Sequence, residues 1–115
     1  MKEICRIRDG LAIVHLEGDL DHHVTEQIRS EIDNIIDTKK VYRIAFNFKN
    51  VSFMDSSGIG LIMGRYKKIK PMGGKIYVCN INYQMGRIFS IFGLEKITAK
   101  DSMVEKIVNK EDTYE

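Results

Sequence analysis

The chain has 115 residues, 43% hydrophobic and 30% charged, and its 18 lysines and arginines against 16 aspartates and glutamates leave a formal net charge of +2. That length and apolar content suit one domain with one core, while the near balance of charge removes a strong pull toward nucleic acid or membrane and points to a protein or small molecule as partner. Cys5 and Cys79 belong to no CxxC pair, the N-terminus Met1-Lys2-Glu3-Ile4-Cys5-Arg6 lacks a signal-like apolar stretch, and no apolar run nears the roughly 18 residues of a membrane span, so a zinc or redox motif is excluded and a soluble cytoplasmic protein is expected.

In chain order, Ile4 to Arg8 and Leu11 to Glu17 are predicted strands joined at Asp9-Gly10, a dipeptide that favours the type I′ turn of a hairpin. His15 falls among apolar neighbours in the second strand, where a hydrogen-bonded or solvated imidazole needs no catalytic role. Gly18-Asp19-Leu20-Asp21 is expected to break that strand. Val24, Ile28, Ile32 and Ile35 then recur at helical spacing over about 16 residues, with Asp21 as N-cap and Lys39-Lys40 at the dipole-compensated end. His22 and His23 are adjacent and point apart, unlike the i, i+4 pair of a helical metal site.

Arg43 to Phe48 reads as a strand with Ile44, Phe46 and Phe48 on one face and Ala45 and Asn47 on the other. After the junction Ser52-Phe53-Met54-Asp55-Ser56-Ser57-Gly58-Ile59-Gly60, a helix follows whose Ile59, Ile62, Met63 and Tyr66 form a core stripe. Gly60 and Gly64 lie one turn apart on a neighbouring face, each costing about 0.8 to 1 kcal/mol of helix propensity relative to Ala. A close approach of the helix to the sheet, or of a partner to the helix, would offset that cost, and the sequence leaves both open. Arg65, Lys67, Lys68 and Lys70 form a basic cluster that reads as a solvated, dipole-compensating face or, more sharply, as a docking surface.

Pro71-Met72-Gly73-Gly74 is a turn and Lys75 to Cys79 a strand. Met85, Ile88, Phe89 and Phe92 mark a helix ending at Gly93, Ile97 to Ala99 a short strand, and Ser102 to Glu105 has capping-box spacing. The final helix is expected over 103–109, giving one domain over 1–109 and a polar tail over 110–115. The order of elements is that of an α/β domain, with about five mostly parallel strands, about four helices and an antiparallel hairpin at the start.

Known chemical templates fail at the junction. A G-x-G-x-x-G fingerprint needs Gly where Met63 stands, a Walker A loop needs Gly-Lys-Ser/Thr where Gly64-Arg65-Tyr66 stands, and a nucleophile elbow needs Gly where Met54 stands. What remains is a hydroxyl at a helix start beside an acid. A phosphate there adds about −1.5 to −2 charges and three acceptors, welcomed by the helix dipole and repelled by Asp55 and, if the two helix starts lie side by side, by Asp21. Ser56 and Ser57 as plain caps account for the same residues.

Gly18-Asp19-Leu20-Asp21-His22-His23, Phe53-Met54-Asp55-Ser56-Ser57-Gly58-Ile59-Gly60 and Gly64-Arg65-Tyr66-Lys67 together resemble the STAS-domain anti-sigma-factor antagonists of the sporulation stage II AA type, nearly end to end. Departures are Asp19 where Glu is common and Ile59 where Leu is common. The resemblance implies the STAS fold and a non-enzymatic partner switch without a cofactor. The unphosphorylated protein binds an anti-sigma factor that is also a serine kinase, freeing a sigma factor; the kinase phosphorylates Ser56 and a serine phosphatase reverses it. It also implies that Asp21 and Asp55 flank the acceptor, and that His22, Ser57, Gly58, Gly60, Gly64 and Arg65 belong to the partner-binding surface. The alternative within the same fold is an interaction module for another signalling or membrane partner.

Overall fold

Asp9 and Gly10 both take positive φ, 50° and 79°, and turn β1 (Cys5–Arg8) antiparallel onto β2 (Leu11–Leu20). The computed structural model describes residues 4–113, so the expectations for Met1 to Glu3 and for Tyr114 and Glu115 lie outside the described residues. The chain continues through α1 (His22–Lys39), β3 (Arg43–Met54), α2 (Ser56–Ile69), β4 (Lys75–Cys79), α3 (Tyr83–Ile91), β5 (Thr98–Ala99) and α4 (Ser102–Thr113). The sheet runs β1-β2-β3-β4-β5, with every pair after the hairpin parallel.

A parallel sheet whose strands advance in one direction through right-handed crossovers puts every connecting helix on the same face. Accordingly α1, α2 and α3 cover Ala12, Val14, Ile44, Phe46, Phe48 and Ile76 with Ile28, Ile32, Ile62, Ile69 and Phe89. The opposite face, carrying Leu11, Ile13, Ala45, Tyr77 and Cys79, is left to α4 through Val104 and Val108. The alternation expected for β3 therefore holds, with Ile44, Phe46 and Phe48 on one layer and Ala45 on the other. Burial of Cys79 pushes its thiol up to about 11, with Glu105 adding to the shift, so it stays protonated at neutral pH.

Several boundaries differ from the sequence reading. β2 does not break at Gly18. It runs to Leu20, because Gly18 adopts φ 74° and β3 supplies an extra residue at each of two bulges, between His15 and Glu17 and between Gly18 and Asp19. In α1 the innermost residues are Thr25, Ile28, Ile32 and Ile36, with Val24 and Ile35 only partly covered. In α2 the stripe shifts toward Leu61, Arg65 and Ile69, leaving Met63 and Tyr66 partly buried. Phe92 is 51% exposed as the C-cap of α3, so it is not core.

The cap of α4 is Asp101, which accepts from the backbone N–H of Met103 at 2.9 Å, and Ser102 is already helical. This helix runs on past Asn109. Asn80 donates to Asn109 Oδ1 at 2.8 Å and to Asn47 Oδ1 at 2.9 Å, Asn47 donates to His15 Nδ1 at 3.0 Å, and His15 Nε2 meets Glu111 at 3.1 Å. His15 thus ties α4 to the sheet, the hydrogen-bonded role expected of it.

Candidate functional site: two capped helix starts

The register of β2 on β3 pairs Leu20 with Met54. Each strand then gives way to an aspartate and a helix, so α1 and α2 start side by side at the same edge of the sheet. Asp55 N–H still reaches Leu20 O at 3.4 Å, which holds the two exits together. Asp21 caps α1 by accepting from Val24 N–H at 2.9 Å, as expected. Asp55 caps α2 by accepting from Ser57 N–H at 2.8 Å and from the Ser57 hydroxyl.

This division of labour separates the two serines. Ser57 is spent on Asp55. Ser56 is exposed in the first turn of α2, and its hydroxyl has no hydrogen-bond partner among the described residues. Neither serine is the cap; the carboxylate is, because an ionised acceptor binds backbone N–H groups more strongly than a hydroxyl does. The Asp55 carboxyl is held below its ordinary value first by the Ser57 hydroxyl, then by the Ser57 N–H, with His22 adding a smaller electrostatic pull. His22 is thereby placed within electrostatic reach of the junction.

Between the helix starts lies a groove of about 240 Å³ lined by His22, Thr25, Glu26, Arg29, Ser57, Gly60 and Leu61. Thr25 is buried in its wall and donates to His22 O at 3.1 Å. Gly58 is buried against the Met54 side chain, where a Cβ would collide. Gly60 and Gly64 are different, since a Cβ on either would meet nothing within 4 Å. No close approach to the sheet accounts for them, and the face they share is bare.

Arg65 departs from the surface role implied for it. It is 6% exposed, with its Nε 2.8 Å from Asp33 Oδ1 on α1. Burial pulls its guanidinium below the ordinary value, and Asp33 partly restores it. Lys68 continues the clamp on Asp37 at 3.2 Å. The sequence carries no mark that distinguishes Arg65 from its exposed basic neighbours. The site therefore brings together Asp21, His22, Asp55, Ser56, Ser57 and Gly60, with Gly58 and Arg65 packed beneath.

Residues 4–113 match the model of the STAS domain family. An anti-sigma F factor antagonist of Paenibacillus polymyxa is 43% identical over 88 residues, 76% of this chain and 75% of that protein. The structure is similar to that of the anti-sigma factor antagonist SpoIIAA in its unphosphorylated form, at 31% identity and a TM-score of 0.78 over 92% of this chain and 95% of the other. It is also similar to the Bacillus cell fate determinant SpoIIAA in the phosphorylated form, at 33% identity and a TM-score of 0.73 over 90% and 96%. With the fold, the paired helix starts and these relatives in agreement, the chain belongs to the STAS-domain anti-sigma factor antagonists.

Proposed function

We propose that the chain is a phosphorylation-controlled binding module of the cytoplasm with no catalysis of its own. With Ser56 free it docks on an anti-sigma factor that is also a serine kinase, which releases a sigma factor. With Ser56 phosphorylated it lets that partner go, until a serine phosphatase restores the hydroxyl. The observation that carries this reading is the exposed and unpartnered Ser56 hydroxyl at the start of α2, beside a serine already committed to Asp55.

A phosphate on Ser56 adds about −1.5 to −2 charges next to Asp55 and across from Asp21. Because Asp55 is the cap, modification of Ser56 removes no hydrogen bond that the helix start depends on, and the fold is kept while the surface gains negative charge. A thousandfold loss of affinity corresponds to about 4 kcal/mol, within the roughly 2 to 5 kcal/mol that one unpaired charge costs in an interface. Asp21, His22, Ser57 and the bare Gly60 and Gly64 form the docking face, and Arg65 supports it from below by fixing α2 on α1.

The test is incubation with ATP and the cognate anti-sigma kinase, followed by mass spectrometry with fragmentation. One phosphate on Ser56 is expected, with Ser56→Ala taking none and still binding the partner. Phosphate on Ser57 instead sinks the assignment.

A further inference from the structure

The register of the hairpin and sheet places four cations together on the face opposite the Ser56 junction. Arg8 pairs with Leu11, Leu11 with Arg43 and Arg43 with Lys75. Directly paired residues share a face of the sheet, and Leu11 belongs to the layer under α4. Arg8, Arg43 and Lys75 therefore form one row across four strands, with Arg6 one row above through its pairing with Ile13. At about 4.8 Å per strand the row spans about 14 Å. The polar ties of α4, at Asn80 and His15, lie at the other end of the strands.

Arg6, Arg8 and Lys75 are exposed. None of the four is in an ion pair among the described residues. Arg43 lies 5.7 Å from the centre of the Tyr42 ring, and its Nε is buried with no hydrogen-bond acceptor among the described residues. A guanidinium nitrogen shielded from water and lacking an acceptor is costly unless an anion completes it.

We propose that this row is a second docking surface, for an acidic segment of a protein partner that lies across the strands with carboxylates spaced over the same length. Four cations on a chain of net charge +2 suit contact pairing with carboxylates. They give a weak field for counter-ion release from a nucleic acid or for adsorption to an anionic bilayer. The surface acts independently of Ser56, which is reached from the opposite layer.

The test is fluorescence anisotropy of the full chain with a labelled decapeptide rich in Asp and Glu, beside its Asn/Gln counterpart, a single-stranded oligonucleotide and vesicles containing anionic phospholipid. The acidic peptide is expected to bind, more weakly as salt rises. The double substitution Arg43→Gln with Lys75→Gln should weaken it about tenfold. Ser56→Ala, and Lys67→Gln with Lys70→Gln on α2, should leave it unchanged. If the first pair fails to fold, Arg6→Gln with Arg8→Gln on the exposed hairpin replaces it. No binding of the peptide, equal binding of its neutral counterpart, equal loss on substituting Lys67 and Lys70, or tighter binding of the oligonucleotide or vesicles overturns the proposal.

Discussion

Toward its C-terminal end the α1–α2 pair is clamped by Arg65 on Asp33 and Lys68 on Asp37 across the buried Ile36 and Ile69, and beyond that clamp lies a hollow of about 550 Å³ bordered by Asp37, Lys40, Tyr42 and Met72. At its N-terminal end the same two helices leave a groove floored by Gly60 and Leu61, with Ser56 exposed beside it. At one end ion pairs cross from helix to helix; at the other the Arg29–Glu26 pair stays within α1, and α2 presents the Ser56 hydroxyl and Gly60. The contacts that fix α2 on α1 thus lie away from Ser56, so on the proposed function a phosphate there would change the surface without loosening the element that presents it.

The sharpest break of that division comes from the packed end. Ile62 is fully buried, and Ile62→Ala should cost about 3 to 4 kcal/mol in denaturant unfolding while the folded fraction still accepts phosphate at Ser56. Next is Arg65→Ala, which leaves the Asp33 carboxylate only its longer contact with Lys68 at 3.9 Å. Because Asp33 keeps 23% of its side-chain surface in water, the loss should be about 2 to 3 kcal/mol, below that of a fully buried pair. Adding Asp33→Ala should recover part of it in a double-mutant cycle.

Gly60→Ala tests the open end. With space for a Cβ, it should raise stability by up to about 1 kcal/mol and still weaken binding to the anti-sigma partner in calorimetric titration. A variant both more stable and equally tight would erase the distinction between the two ends. The smallest effect concerns Asp55. Its folded carboxyl is depressed, so the stability it adds is present above the unfolded value and lost as pH falls through the folded one. Asp55→Asn should flatten the acid limb of a pH-dependent melting curve, most visibly below pH 4, about the ordinary aspartate value.

How much of this was legible in the sequence follows from where each cause resides. The alternation of β3 and the cap at Asp21 depend on neighbouring residues, and both read correctly. Gly18 did not, because its tolerance of a strand depends on extra residues that β3 inserts opposite it. Arg65 looks like Lys67 and Lys68 until α1 brings Asp33 beside it. The resemblance of the junction motifs named Ser56, but the physical difference between Ser56 and Ser57 lies in which hydroxyl the Asp55 carboxylate holds, a matter of backbone geometry that two adjacent serines do not reveal.

The cover on the second face of the sheet has a consequence during synthesis. Leu11, Ile13, Ala45, Tyr77 and Cys79 wait for Val104 and Val108, which leave the ribosome only after all five strands. At about 5 to 20 residues per second, the sheet spends a second or more with one face bare after β4 has emerged. That interval is when the nascent chain is most open to a chaperone or to another copy of itself.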